Sequence, residues 1–277
     1  MPEWFFILGM GLFGLLCGSF ANVVVWRLPR GESVVQPGSH CPKCDAAVAW
    51  YDNIPLLSYA VLRGRCRSCG ASISARYPLV EAASGALFIV AALLYGVGAQ
   101  AVFAATLLWG LLVLSLIDLA HFRLPNALVA MLAAVGLVGA VLAQVFDVPL
   151  VPLMGMSARG PLSEPLVAAL VGAAAAGGIS FAVAEAYALL RKRQGFGMGD
   201  VKLLGVLGLF LGLYAFMALF VGSLAGSIYA IARARGTAAG LPGTKLPFGA
   251  FLSLGTLVCL LVGQPVWTWY LQGVGLS

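Results

Sequence analysis

Apolar stretches of about twenty residues, almost free of charge, recur along this chain, and no other feature restricts its fold so severely. The first runs from Phe5 to Trp26. A helix needs about 20 apolar residues to cross the hydrocarbon of a bilayer, where each backbone N–H and C=O must be bonded within its own segment. Similar runs follow at Leu79–Gly98, Ala101–Asp118, Asn126–Phe146, Leu166–Leu190, Val201–Tyr214, Phe216–Arg233 and Phe248–Leu271. The sixth and seventh form one long apolar run, divided near Tyr214 because basic residues sit at both ends. Charged residues make only 9% of the chain, against about 25% in a soluble domain, so a water-soluble globule is excluded. The expected fold is an all-α polytopic membrane protein of about eight transmembrane helices, with a long polar loop at residues 27–78.

The basic residues orient these spans. With both termini outside, the cytoplasmic loops and their helix ends hold 15 of the 16 Lys and Arg residues; only Arg159 falls in an outside loop. Lys and Arg concentrate on the cytoplasmic side of membrane proteins. The net charge of +6 therefore needs no nucleic-acid partner. No basic residue precedes the first span, so it reads as an uncleaved helix and not a signal peptide. No internal repeat or low-complexity linker is evident. The run AALVGAAAAGG (168–178) is rich in the small residues found where membrane helices approach closely.

Four of the six cysteines form two pairs, Cys41-Pro-Lys-Cys44 and Cys66-Arg-Ser-Cys69, with 21 residues between them. Two CxxC knuckles at this separation match a tetrahedral zinc site. Lys43, Arg65 and Arg67 beside them favour the thiolate. Four thiolates leave no open position for water, so the zinc is expected to be structural, stapling a loop too small to build its own core. Two disulfides or a redox pair are the alternatives. The cytoplasmic placement opposes the first, and the lack of a thioredoxin-like βαβ pattern opposes the second. Cys17 and Cys259 lie inside apolar spans and read as small buried hydrophobes.

The ten acids can be sorted one by one. Glu3, Asp147 and Glu164 sit in outside segments; Glu32, Asp45 and Asp52 sit in the polar loop, where solvation is the default. Glu185 lies beside Arg191–Arg193 and reads as an interfacial charge. Glu81 opens the second span, where a helix N-terminus favours an acid or a loop arginine can pair with it. Asp118 ends the third span and Asp200 begins the sixth, both at the cytoplasmic end of a helix. Two carboxylates sharing a partly dehydrated site hold one proton between them. Aspartic proteases use such a pair as base and acid. The alternating Gly195, Gly197 and Gly199 before Asp200 permit unusual backbone and close approach of a substrate strand. The alternatives for the two acids are interfacial charges or an ion or proton pathway.

Several segments together resemble a known family. They are GSFANVVVWRLPRG (18–31), SHCPKC (39–44) with IPLLSYAVLRGRCRSCGASISARYPLVE (54–81), LSLIDLAHFRLPN (114–126), GFGMGDVKLLGVLGLFLG (195–212) and KLPFGAFL (245–252). In this order they are similar to the type IV prepilin peptidases, bifunctional leader peptidases and N-methyltransferases within the GxGD-type membrane aspartyl proteases. The resemblance implies that Asp118 and Asp200 are the catalytic pair. Many relatives carry further acids in the first segment; here those positions are Ala120 and Asn126, leaving Asp118 as its only carboxylate. The family implies prepilins and pseudopilins as substrates, each with a short basic leader, a Gly before the scissile bond and then a hydrophobic helix. It also implies cleavage at the cytoplasmic face of the bacterial inner membrane, followed by methylation of the new N-terminus from S-adenosylmethionine. For the methyl-donor site, Glu81 and the loop are the candidates.

The expected organisation is therefore a first transmembrane helix (1–26), a cytoplasmic four-cysteine zinc loop (27–78) and a transmembrane catalytic bundle (79–277). Partners are the precursors and the lipid bilayer. Two other classes fit the same residues: an ion- or proton-coupled transporter using the buried acids, and a non-catalytic zinc-bearing assembly protein.

Overall fold

The computed structural model describes residues 2–153, 164–192, 197–235 and 246–273. Arg159, Arg193, Gly195 and Lys245 lie outside these residues. Nine α-helices occur among the described residues: α1 (Glu3–Arg27), α2 (Leu57–Val61), α3 (Arg76–Tyr95), α4 (Ala99–His121), α5 (Asn126–Phe146), α6 (Pro165–Arg191), α7 (Met198–Leu211), α8 (Ala215–Arg235) and α9 (Phe248–Gly273). There is no strand among the described residues, only two isolated bridges in the polar loop. Among the described residues, seven segments are long and apolar enough to cross a bilayer. The expected count of about eight differs by one at 198–235. There a single 36-residue apolar segment, Met198–Arg233, holds both α7 and α8, separated by a 3₁₀ turn at Gly212–Tyr214. The division falls where the sequence placed it.

The chain divides into two compact units, Met1–Trp109 and Gly110–Ser277. In the first unit α1 lies against α3 through small residues. A Cβ at Gly14 would stand 2.8 Å from Phe88, and one at Gly18 only 2.6 Å from the Glu81 Cα, so the two helices touch backbone to backbone. Ser84 Oγ donates to Gly14 O at 2.6 Å across this seam, and Trp109 Nε1 donates to Cys17 O at 2.9 Å. Without water to oppose association, such close packing and interhelical hydrogen bonds hold membrane helices together.

In the second unit α7 is the centre. Val201, Leu203, Leu204, Val206, Leu207, Phe210 and Leu211 are all buried. Past Lys202 the helix is apolar around its whole circumference, and such a helix belongs in a core. The biased run at 168–178 faces it: Gly172 meets Gly208 and Gly212, and Gly177 meets Gly205, so α6 runs antiparallel to α7. In the same way Gly255 meets Ala218 and Gly222 meets Phe251, making α8 and α9 an antiparallel pair. Glycines four residues apart, Gly14 with Gly18, Gly208 with Gly212 and Gly222 with Gly226, thus serve contacts inside the chain.

A Cβ at Gly172 would lie 2.5 Å from the Gly208 carbonyl oxygen and 2.6 Å from the Gly212 Cα, backbone atoms that cannot rotate away. Gly172→Leu is expected to separate α6 from α7 and cost about 3 kcal/mol, the upper end of ordinary overpacking. A thermal melt of the detergent-purified protein reads this as a lowered midpoint.

Candidate functional site: a carboxylate pair and a four-thiol cluster

Asp118 lies in the last turn of α4, and it is 5% exposed. That is the wrong end of a helix for an anion, because the C-terminal carbonyls point their negative ends at it. The compensation comes from α9. Its first turn presents the Gly249 and Ala250 N–H groups to the carboxylate, Ala250 at 3.4 Å from Oδ2. Helix N-terminal amides are ready anion donors. Gly249 must be a glycine for this approach, since its Cβ would lie 3.1 Å from Asp118 Oδ2 and 2.9 Å from Leu124.

Asp200 is in the first turn of α7 and is half-buried. Gly197 is the N-cap, and its N–H bonds back to the Asp200 carboxylate while Asp200 N–H donates to Gly197 O at 3.0 Å. This is capping-box geometry with the acid at the third helical position. A Cβ at Gly197 would stand 2.8 Å from Asp200 Oδ2, so this glycine leaves room for the carboxylate. The backbone here is ordinary, and Gly197 has φ −73°. Gly197 and Gly199 thus act through space, and neither takes the unusual backbone that was one of the two expectations for this stretch.

Leu124 joins the two acids. It follows the end of α4, which closes where Phe122 N–H donates to Asp118 O at 2.8 Å with Phe122 at φ +53°. Its side chain meets the positions of both Gly199 and Gly249. The two carboxylates are close enough that the charge of Asp118 acts on Asp200. Asp118 and Asp200 are therefore brought together, at three helix ends. Next to them Lys202 Nζ donates to Asn126 Oδ1 at 3.0 Å. These two residues line one part of a groove of about 440 Å³, with Val129, Ala133, Ala173 and Leu209 among its apolar walls.

The four cysteines also converge. Their sulfur atoms all lie within 4.8 Å of one another, with Cys41 Sγ 3.9 Å from Cys69 Sγ. A tetrahedral ion with metal–sulfur bonds of about 2.3 Å needs sulfur separations of about 3.8 Å, so this donor set can hold a metal. The knuckles are built alike. Cys41 N–H donates to Ala46 O and Asp45 N–H to Cys41 O; Cys66 N–H donates to Ala71 O and Gly70 N–H to Cys66 O. Asp45 and Gly70 both take a left-handed turn, at φ +58° and +69°. The bridges His40–Ala47 and Arg65–Ser72 keep the same register. This is a duplication too short to stand out in the sequence. The Lys43 and Cys44 N–H groups bring the Cys41 thiol down to about 6. Cys44, opposed by the Ala46 N–H, is pushed up to about 12 chiefly by the Cys69 thiol.

Two acids depart from their expected settings. Asp52 is not a solvated loop charge: its side chain is 9% exposed and pairs with Arg67 in a two-pronged contact, Nε–Oδ2 at 2.7 Å and Nη2–Oδ1 at 2.6 Å. The guanidinium holds the Asp52 carboxyl below the usual range. Arg67 also stands over the Tyr51 ring, 5.5 Å from its centroid. Glu81 lies beyond the first turn of α3 and pairs with no loop arginine among the described residues. It is 8% exposed, and its Oε2 accepts the Leu56 N–H at 2.9 Å. Glu185 is exposed, as an interfacial charge would be.

The Bacterial Peptidase A24 N-terminal domain matches residues 12–95, and the Type IV leader peptidase family matches residues 105–231. A prepilin leader peptidase/N-methyltransferase of Stutzerimonas stutzeri is 34% identical over 96% of this chain and 94% of its own length. One of Pseudomonas aeruginosa is 35% identical over 98% and 95%. A shorter match, to the protein of that name from Klebsiella pneumoniae, is 40% identical over 75% of this chain and 86% of its own length. No solved structure matches the chain.

Metal analysis of the purified protein is expected to find about one ion per chain, lost in Cys44→Ser. Each thiol must lose its proton to bind, so retention should fall as the pH is lowered.

Proposed function

This chain belongs to the type IV leader peptidase family, and on that footing we propose that it is a membrane aspartic endopeptidase cleaving the leader from prepilins and pseudopilins, with Asp118 and Asp200 as its catalytic pair. The observation that carries the reading is the meeting of these two carboxylates around Leu124, each supported by the amides at a helix N-terminus. One carboxylate, ionised, takes a proton from water as the water oxygen attacks the scissile carbonyl. The other, protonated, donates to the carbonyl oxygen. The resulting tetrahedral adduct collapses, the C–N bond breaks and the amine leaves with a proton. The peptide strand would run beside the backbone at 197–199. The groove along Asn126, Ala133 and Ala173 supports a hydrophobic substrate segment beside the pair.

In this reading the site lies at the cytoplasmic face of the bacterial inner membrane; the distribution of Lys and Arg supports the cytoplasmic side, and the bacterial relatives support the membrane. The four cysteines, Cys41, Cys44, Cys66 and Cys69, hold a structural zinc in this reading; an all-thiolate set within tetrahedral reach supports it. The loop 27–78 then serves as a zinc-stapled module between the first helix (1–26) and the catalytic bundle (79–277). N-methylation of the product's new N-terminus is the second activity, with S-adenosylmethionine supplying the methyl group. The buried carboxylate of Glu81, which no cation meets among the described residues, is the feature that fits a positively charged ligand.

Asp118→Asn and Asp200→Asn are each expected to lower cleavage of a co-expressed prepilin in membranes by about 10³-fold or more, within the scale of acid–base catalysis, while metal content stays at the wild-type level. Full processing by either variant overturns the assignment.

A further inference from the structure

Glu81 is a buried carboxylate that the cleavage chemistry does not use. A buried anion is costly unless a cation or several donors meet it. Here the Leu56 N–H and the Ser19 hydroxyl are the groups that meet it, and both are neutral. Three of the seven Lys and Arg residues of this unit are engaged elsewhere. Arg27 donates to Ser33 O and Gly38 O at 3.1 and 3.2 Å, Arg67 is locked to Asp52, and the Arg30 guanidinium sits 3.7 Å above the Trp26 ring. Among the described residues no Lys or Arg reaches Glu81.

The surroundings are also built. Leu56 holds φ +61° and ψ −47°, a region a side-chain-bearing residue avoids, and in that pose its N–H is aimed at Glu81. Such strain persists only where the surroundings enforce it, and it concentrates at ligand sites. The Cβ-free Gly18 lets α1 press against α3 at Glu81, which brings Ser19 and Asn22 alongside. Ser19 Oγ lies 3.5 Å from Asn53 Oδ1, and Asn22 Nδ2 donates to Tyr77 O at 3.2 Å. Asn53 and Tyr77 are exposed, so the polar cluster opens to solvent at the loop end of the two helices.

We infer that Glu81, with Ser19 and Asn53 beside it, forms the anionic wall of a binding site for an organic cation. The inference rests on the methylation reading, which involves two such cations: the sulfonium of the methyl donor and the ammonium of the new N-terminus. In the transfer, the amine nitrogen, having released a proton to water, forms its bond to the methyl carbon. The carbon–sulfur bond breaks with its electron pair going to sulfur, and the proton that the methylated nitrogen then sheds passes to water.

The test uses the full-length protein in detergent, comparing wild type with Glu81→Gln, whose amide oxygen still accepts the Leu56 N–H. Dissociation constants are measured for S-adenosylmethionine, for uncharged S-adenosylhomocysteine, and for a peptide with a free N-terminus beside its acetylated form. Prepilin cleavage and metal content report on folding. Removing the carboxylate's charge from a site that pairs with a cation weakens binding about tenfold. Weakening for S-adenosylmethionine with S-adenosylhomocysteine unchanged supports the site and identifies the sulfonium as its cation. Weakening for the free peptide alone supports it and identifies the ammonium. Unchanged binding of every probe overturns the inference, and so does equal weakening of charged and uncharged probes. A wild type that binds neither donor nor peptide overturns the methylation reading together with the site.

Discussion

A carboxylate inside an apolar bundle must be held by something other than water, and here that something is the exposed amides of helix ends. Asp118 sits where its own helix repels it, so the start of α9 has to reach it. Asp200 sits where its own helix welcomes it and folds back onto Gly197. The meeting of these helix ends sets the demands on the second unit. The α4–α5 turn must put Leu124 between them, and Gly199 and Gly249 must leave Leu124 space.

The same economy of volume runs through both units. Gly14 and Gly18 on α1, Gly172 on α6, Gly208 on α7 and Gly255 on α9 each stand against another helix's backbone or Cβ. In lipid, apolar side chains gain little from meeting one another, and close approach with directed hydrogen bonds replaces hydrophobic burial as the cement. A chain with 35 glycines can use this cement widely.

Much of this was legible in the sequence because charge is so scarce. Helix number followed from hydropathy to within the one break at Gly212–Tyr214. Asp118, Asp200 and the four cysteines were singled out by residue type and position, and the structure draws each group together. What stayed hidden depends on through-space partners. Asp52 looked solvated because its partner, Arg67, is 15 residues away in the second knuckle. Glu81 looked like a helix-end acid because nothing local reveals Leu56, 25 residues earlier. The part played by Gly249 was invisible for the same reason: only the fold carries α9's first turn to Asp118.

The shortness of α7 has a consequence for a hydrolase working in lipid. Fourteen residues rise only about 21 Å, against a hydrocarbon slab of about 30 Å. A helix so truncated and walled in by its neighbours leaves its end recessed below the level that a full-length span would reach. Such a recess is a hydrophobic mismatch absorbed by protein instead of by deformed lipid. Gly172 of α6, set against Gly208 and Gly212, is the backbone that borders the C-terminal end of this short helix in place of acyl chains.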